Sequence, residues 1–207
     1  MSTALILVDL QNDFCPGGAL AVPGGDQVIP IARQLCDKAG IVVATQDWHP
    51  ANHGSFAASH PGTKVGDTIE LAGQPQVLWP VHCVQNTPGA EFAPGFPAEK
   101  VKAVFRKGTD PDIDSYSGFY DNRHRKATGL GEWIRSLRIT RVWIAGLATD
   151  YCVKFTALDA ARFNLETTLV LDACRGVNLQ PGDVDRAVDE MRKAGVAIKT
   201  SRDVLFL

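Results

Sequence analysis

Several things are missing from this sequence, and each absence narrows what the chain can be. There is no CxxC pair: the five cysteines stand far apart at 15, 36, 83, 152 and 174, an odd number. That pattern excludes a disulfide framework or zinc ribbon and predicts free thiols in a reducing cytoplasm. There is no charge imbalance. Twenty-one basic against 23 acidic side chains leave a net charge of −2, which gives no electrostatic footprint for nucleic acid or an anionic membrane. There is no long apolar run. The opening MSTALILVDLQNDF holds an apolar stretch of only about six residues, cut by Asp9 and preceded by no basic residue, so neither a signal peptide nor a membrane span is expected. Nor does GxGxxG open a helix after the first strand, where the turn reads DLQNDFCPGG, so the dinucleotide-binding fingerprint is missing. No internal repeat, linker or low-complexity tail appears.

What is present suits one compact α/β domain over 1–207. The chain has 207 residues, 45% of them hydrophobic, enough to bury a core without disulfides or a structural metal. Apolar runs recur at 4–10 (ALILVDL), 41–47 (IVVATQD), 101–107 (VKAVFRK), 141–147 (RVWIAGL), 167–173 (TTLVLDA) and 196–200 (VAIKT). Between them lie helical patterns: 24–40, with Val28, Ile31, Ala32 and Leu35 on one face, then 124–137, 150–163 and 181–195. Apolar strands alternating with amphipathic helices predict a doubly wound parallel sheet of about six strands in three layers, covered on both faces. Residues 48–100 break the pattern. They are rich in Gly, Pro, His and Asn, and a loop region that long inside a compact domain is usually functional.

In such sheets, ligands bind beyond the carboxyl ends of the strands. The chemically capable residues fall in that layer. Asp9 closes the first strand, Asp47 the second and Lys107 the third, while Cys152 follows the fourth. A carboxylate after LILV on a central strand is costly unless it is paired. GLATDYC reads as a strand-to-helix elbow, where a thiol in the first helical turn meets the positive end of the helix dipole and unpaired N–H groups, which favours thiolate. An acid, an amine and a thiol at three strand ends fit nucleophilic catalysis, with the carboxylate taking the thiol proton and the ammonium stabilising negative charge. No histidine occupies a strand end, which disfavours a Cys–His pair.

A metal site is the second candidate. QDWHPANH carries Asp47, His49 and His53, and WPVHCV adds His82. Asp-x-His puts two ligands on the same side of an extended backbone, and one distant histidine would complete a three-ligand site with open positions. Mixed oxygen and nitrogen ligands suit one divalent ion, zinc, iron or manganese.

Together VDLQNDF, TQDWHPANH, WPVHC, FRKGTDPDIDSYSGF and GLATDYCV resemble the nicotinamidase/pyrazinamidase branch of the isochorismatase-like cysteine hydrolases, from about residue 4 to residue 200. The resemblance implies a Cys152/Asp9/Lys107 triad and a metal on Asp47, His49 and His82 that takes the pyridine nitrogen directly or through water. It implies oxyanion amides from Ala148 and Cys152, a cis bond between Leu147 and Ala148, and ring-flanking aromatics at Phe14 and Trp79. Some relatives use an extra histidine near the Asp-x-His pair; His53 is the candidate here, as a ligand or as a partner of metal-bound water. The implied substrate is nicotinamide and the implied context NAD salvage, with the oligomeric state, a homo-oligomer included, left open. Three other readings compete: a related amide or N-carbamoyl hydrolase, a metallohydrolase with Cys152 as mere packing, and a non-enzymatic thiol- or metal-binding module.

Overall fold

A computed structural model describes residues 3–206. Six parallel strands form one sheet in the order β5-β2-β1-β6-β7-β8, where β1 is Thr3–Val8, β2 Ile41–Asp47, β5 Val101–Lys107, β6 Arg141–Leu147, β7 Glu166–Arg175 and β8 Ala197–Lys199. β1 lies inside the sheet, with Ile6 opposite both Val43 and Ile144. The order reverses at β1, so the switch point falls at the end of the strand that leads into Asp9.

Period-two alternation divides the core into two layers. Leu5 and Leu7 of β1 pack under α1 (Val28–Lys38) and the short α5 (Ser201–Leu205). Ala4, Ile6 and Val8 face α2 (Leu130–Ser136), α3 (Lys154–Arg162) and α4 (Asp183–Lys193). This is the three-layer architecture expected.

The structure departs from the sequence reading in four places. The first strand ends at Val8, and Asp9 turns away in a left-handed conformation, φ 49°. The crossover helix expected over 124–137 is formed only over 130–136, because residues 108–129 run as irregular chain against the site. Cover on both faces fails at the edge: β5 alternates, with Lys102, Val104 and Arg106 exposed. Within the 48–100 region, Thr68–Leu71 and Gln74–Val77 pair antiparallel as a hairpin, β3 and β4.

Candidate active site

Lys107, the last residue of β5, is the hub. Its ammonium is fully buried and lies 2.6 Å from Asp47 Oδ1, 2.9 Å from Asp9 Oδ2, 3.0 Å from the Ser115 carbonyl oxygen and 3.3 Å from Cys152 Sγ. An ammonium has three protons for these four partners. Asp47, Ser115 and the sulfur receive them, whereas the Asp9 contact is a charge pair without hydrogen-bond alignment. Asp9 is held instead through its other oxygen, which accepts from Thr45 Oγ1 at 2.6 Å. Its Oδ2 is thus a buried acceptor with an unused lone pair, and carboxylate oxygens of Asp9 and Asp47 lie within 4.8 Å of the Cys152 sulfur.

The protonation states follow from burial and charge. Burial alone would lower Lys107, but Asp47 and Asp9 hold it well above its ordinary range, so it stays charged. Burial raises Asp9, with Lys107 opposing and the Asp47 charge adding to the rise. Burial also pushes the Cys152 thiol well up; Lys107 pulls it down, and Asp9 and Asp47 push it further up. Burial thus biases the resting sulfur toward the thiol, whereas the helix dipole taken alone suggested thiolate. Without a cation on Asp47, a thiolate would be a third buried anion beside one ammonium.

Cys152 sits in a wide turn, Thr149–Val153, that leads into α3. Tyr151 and Val153 both donate their N–H to the Ala148 carbonyl at 3.1 Å. The Leu147–Ala148 peptide is cis, as the resemblance implied. Among the described residues the Ala148 N–H has no acceptor, which leaves it available to an oxyanion beside the sulfur.

Asp47, His49 and His82 come together with ligand atoms within 4.8 Å of one another, all three buried. The imidazole Nε2 atoms lie 3.4 Å (His49) and 3.7 Å (His82) from Asp47 Oδ2. Each ring's Nδ1 meets a backbone carbonyl, Gly108 O at 2.9 Å for His49 and Pro80 O at 2.8 Å for His82. Those contacts place the proton on Nδ1 and leave the Nε2 lone pairs facing the carboxylate, the second-shell arrangement of metal-ligating histidines. The donor set fits a divalent cation. His53 lies beside this set: its ring centroid is 4.3 Å from that of His49, its Nδ1 bonds Ser55 Oγ at 2.7 Å, and its ligand atom groups with His49 and Asp114. Burial and the neighbouring His49 lower His53 to about 4, so it is neutral at pH 7.

Between the sulfur and the histidines lies a narrow cleft that opens to solvent. Phe14, Leu20, Trp79, Ala148 and Val177 supply apolar walls, and Tyr116 and Tyr151 add half-buried rings. Phe14 and Trp79 were expected from the resemblance. Leu20, Tyr116, Tyr151 and Val177 were not: Leu20, Tyr116 and Val177 stand in irregular chain or turns with no periodic signal, and Tyr151 lies in the turn that opens the 150–163 helical pattern. Thr45 carries a signal of its own, as a polar residue inside an apolar strand.

The isochorismatase domain model matches residues 3–203. The chain belongs to the isochorismatase family. This family member is 50% identical to the nicotinamidase of Escherichia coli, over 97% of its own length and 95% of the relative's. It superposes on a nicotinamidase/pyrazinamidase structure from Acinetobacter baumanii with TM-score 0.95 and 45% identity, each chain 98% covered. A Pyrococcus horikoshii pyrazinamidase structure in complex with zinc matches with TM-score 0.78 and 42% identity, over 97% of this chain and 99% of that one.

Proposed function

We propose that the chain is an amidohydrolase that converts nicotinamide to nicotinate and ammonia, and pyrazinamide likewise, through a thioester on Cys152. The observation that carries this reading is the contact of one buried ammonium with a carboxylate and a sulfur, at the foot of an apolar-walled cleft whose other end is Asp47, His49 and His82. The relatives named above support the choice of substrate.

The ring would lie between Phe14, Trp79 and the other cavity walls, with its carboxamide over Cys152 and its ring nitrogen toward the two histidines. When bound to Asp47, His49 and His82, a divalent cation supplies an electron-pair acceptor for that nitrogen and thereby orients the ring. As sulfur attacks the carbonyl carbon, its proton passes to Asp9, whose free Oδ2 and raised affinity for protons suit it to receive one. Lys107 stays charged and offsets the negative charge that moves between oxygen and sulfur. The oxyanion is held by backbone N–H groups, from Ala148 and Cys152. Collapse breaks the C–N bond, and Asp9 returns the proton to the leaving nitrogen, which departs as ammonia. Asp9 then takes a proton from water as the hydroxyl attacks the thioester carbon; the C–S bond breaks, and Asp9 passes that proton to the departing sulfur, giving nicotinic acid and restoring the thiol and the Asp9 carboxylate.

The free, buried cysteines fit a cytoplasmic enzyme, and the product would enter NAD salvage. Ammonia release by the zinc- or manganese-loaded protein from nicotinamide, pyrazinamide and an N-carbamoyl amino acid tests the reading. We expect turnover of the first two; turnover of the carbamoyl compound alone would move the assignment to the ureido-hydrolysing relatives.

A further inference from the structure

Asp150 stands two residues before the nucleophile, is buried, and touches none of the reacting groups. Its carboxylate is fully used elsewhere. Oδ1 accepts the Val177 N–H at 3.0 Å and Oδ2 the Asn178 N–H at 2.7 Å, so one anion holds two successive amides of the loop that follows β7. That loop is shaped for the contact. Residue 176 is glycine, and a Cβ there would lie 2.2 Å from a Val184 methyl and 3.0 Å from Asp150 Oδ1, so a side chain would collide with Val184 and crowd the carboxylate. Asn178 takes a left-handed φ of 55°, and its own Oδ1 accepts the Val184 N–H at 3.4 Å. Between them Val177 is delivered to the cavity wall, beside Tyr151 and Ala148.

We infer that Asp150 is a positioning residue for substrate selection: it ties the Val177 wall to the elbow that carries Cys152, and Val177 sets which ring substituents the cavity admits. The inference rests on the amidohydrolase reading and extends it to specificity. Charge-assisted bonds to backbone amides are roughly twice as strong as neutral ones. Asparagine at 150 keeps one acceptor but turns its NH₂ group toward the second amide, so the loop loses half its anchorage. Because the wall contacts the ring in ground state and transition state alike, its loosening should appear in KM and leave kcat nearly unchanged.

The experiment is a cycle of Asp150→Asn, Val177→Ala and the double variant. Ammonia release is measured for nicotinamide and for a set of ring-methylated nicotinamides, with melting temperatures recorded alongside. We expect each single variant to raise KM for nicotinamide roughly tenfold with kcat within about twofold. Both should improve kcat/KM for the same methylated compound relative to nicotinamide, and the double variant should cost less than the product of the two, because Asp150 acts through Val177. Additive effects, or a fall in kcat at unchanged KM, would show that Asp150 serves the elbow and not the wall. Should Asp150→Asn fail to fold, Val177→Ala alone decides: unchanged discrimination against methylated rings overturns the inference. If wild-type protein releases no ammonia from nicotinamide, the amidohydrolase reading falls and this inference with it. Wild-type turnover with an unresponsive cycle removes only the wall.

Discussion

At the scale of single residues, the site works by scarcity. One ammonium serves two carboxylates and a sulfur in a deeply buried cluster, so no member has an ordinary proton affinity, and the cluster titrates as a unit. In the proposed mechanism Asp9 serves as the base, since its Oδ2 keeps only the charge pair with Lys107; Asp47 is taken up by Lys107 on one oxygen and faces the histidines with the other. The Thr45 hydroxyl, 2.6 Å from Asp9, favours the charged form of that carboxylate and so lowers its proton affinity. The acid limb of kcat/KM should therefore lie above the ordinary carboxylate value, since protonated Asp9 cannot take the thiol proton. In Thr45→Val, which removes the bond, that limb should move to still higher pH, by roughly one unit for a bond worth about 1.5 kcal/mol. A limb that stays in place or moves down would take Asp9 out of the base role.

At the scale of elements, Asp9, Lys107 and Cys152 are each placed by a strand end or by the first turn after one, which is why their meeting was legible in the sequence. A carboxylate after LILV and a lysine closing VKAVFRK break their apolar runs visibly. Ser115 was invisible because it contributes a carbonyl oxygen, which no side-chain identity betrays. The hairpin of β3 and β4 escaped because its strands have four residues each, one containing Pro75, too short and too exposed for a periodic signal. It nonetheless reaches the site: Gln76 donates to Tyr116 OH at 2.8 Å and Asp114 Oδ2 at 3.1 Å. The turn after β5 shows how tightly these pieces meet. Gly108 has φ 63°, accepts from His49 Nδ1, and passes so close that a Cβ would lie 2.4 Å from His49 Cε1. Gly108→Ala should displace that imidazole and weaken zinc binding by about 10–100-fold, the usual cost of disturbing a ligand's outer partner. Competition with a chromogenic chelator measures it. Unchanged affinity would remove His49 from the ligand set.

At the scale of the whole molecule, two apolar layers sandwich one parallel sheet, and none of the five cysteines is bonded to another. The layer pattern was legible because the strands are apolar on both faces. The exception, β5, is an edge strand whose alternation of Lys102, Val104 and Arg106 announces a face left to solvent. Burial alone should sustain the fold, so the melting temperature should be the same with and without excess dithiothreitol. A fall under reductant would reveal a disulfide at odds with the reading of the cysteines as free thiols.

The most direct test of the account is to quench the metal-loaded protein with acid during turnover of nicotinamide and weigh its peptides. The peptide containing Cys152 should carry one nicotinoyl group, absent when Cys152 is alanine, and that variant should lose about 10⁴-fold or more of its turnover. An unmodified Cys152 peptide, together with substantial activity in Cys152→Ala, would mean that water and not sulfur attacks the amide.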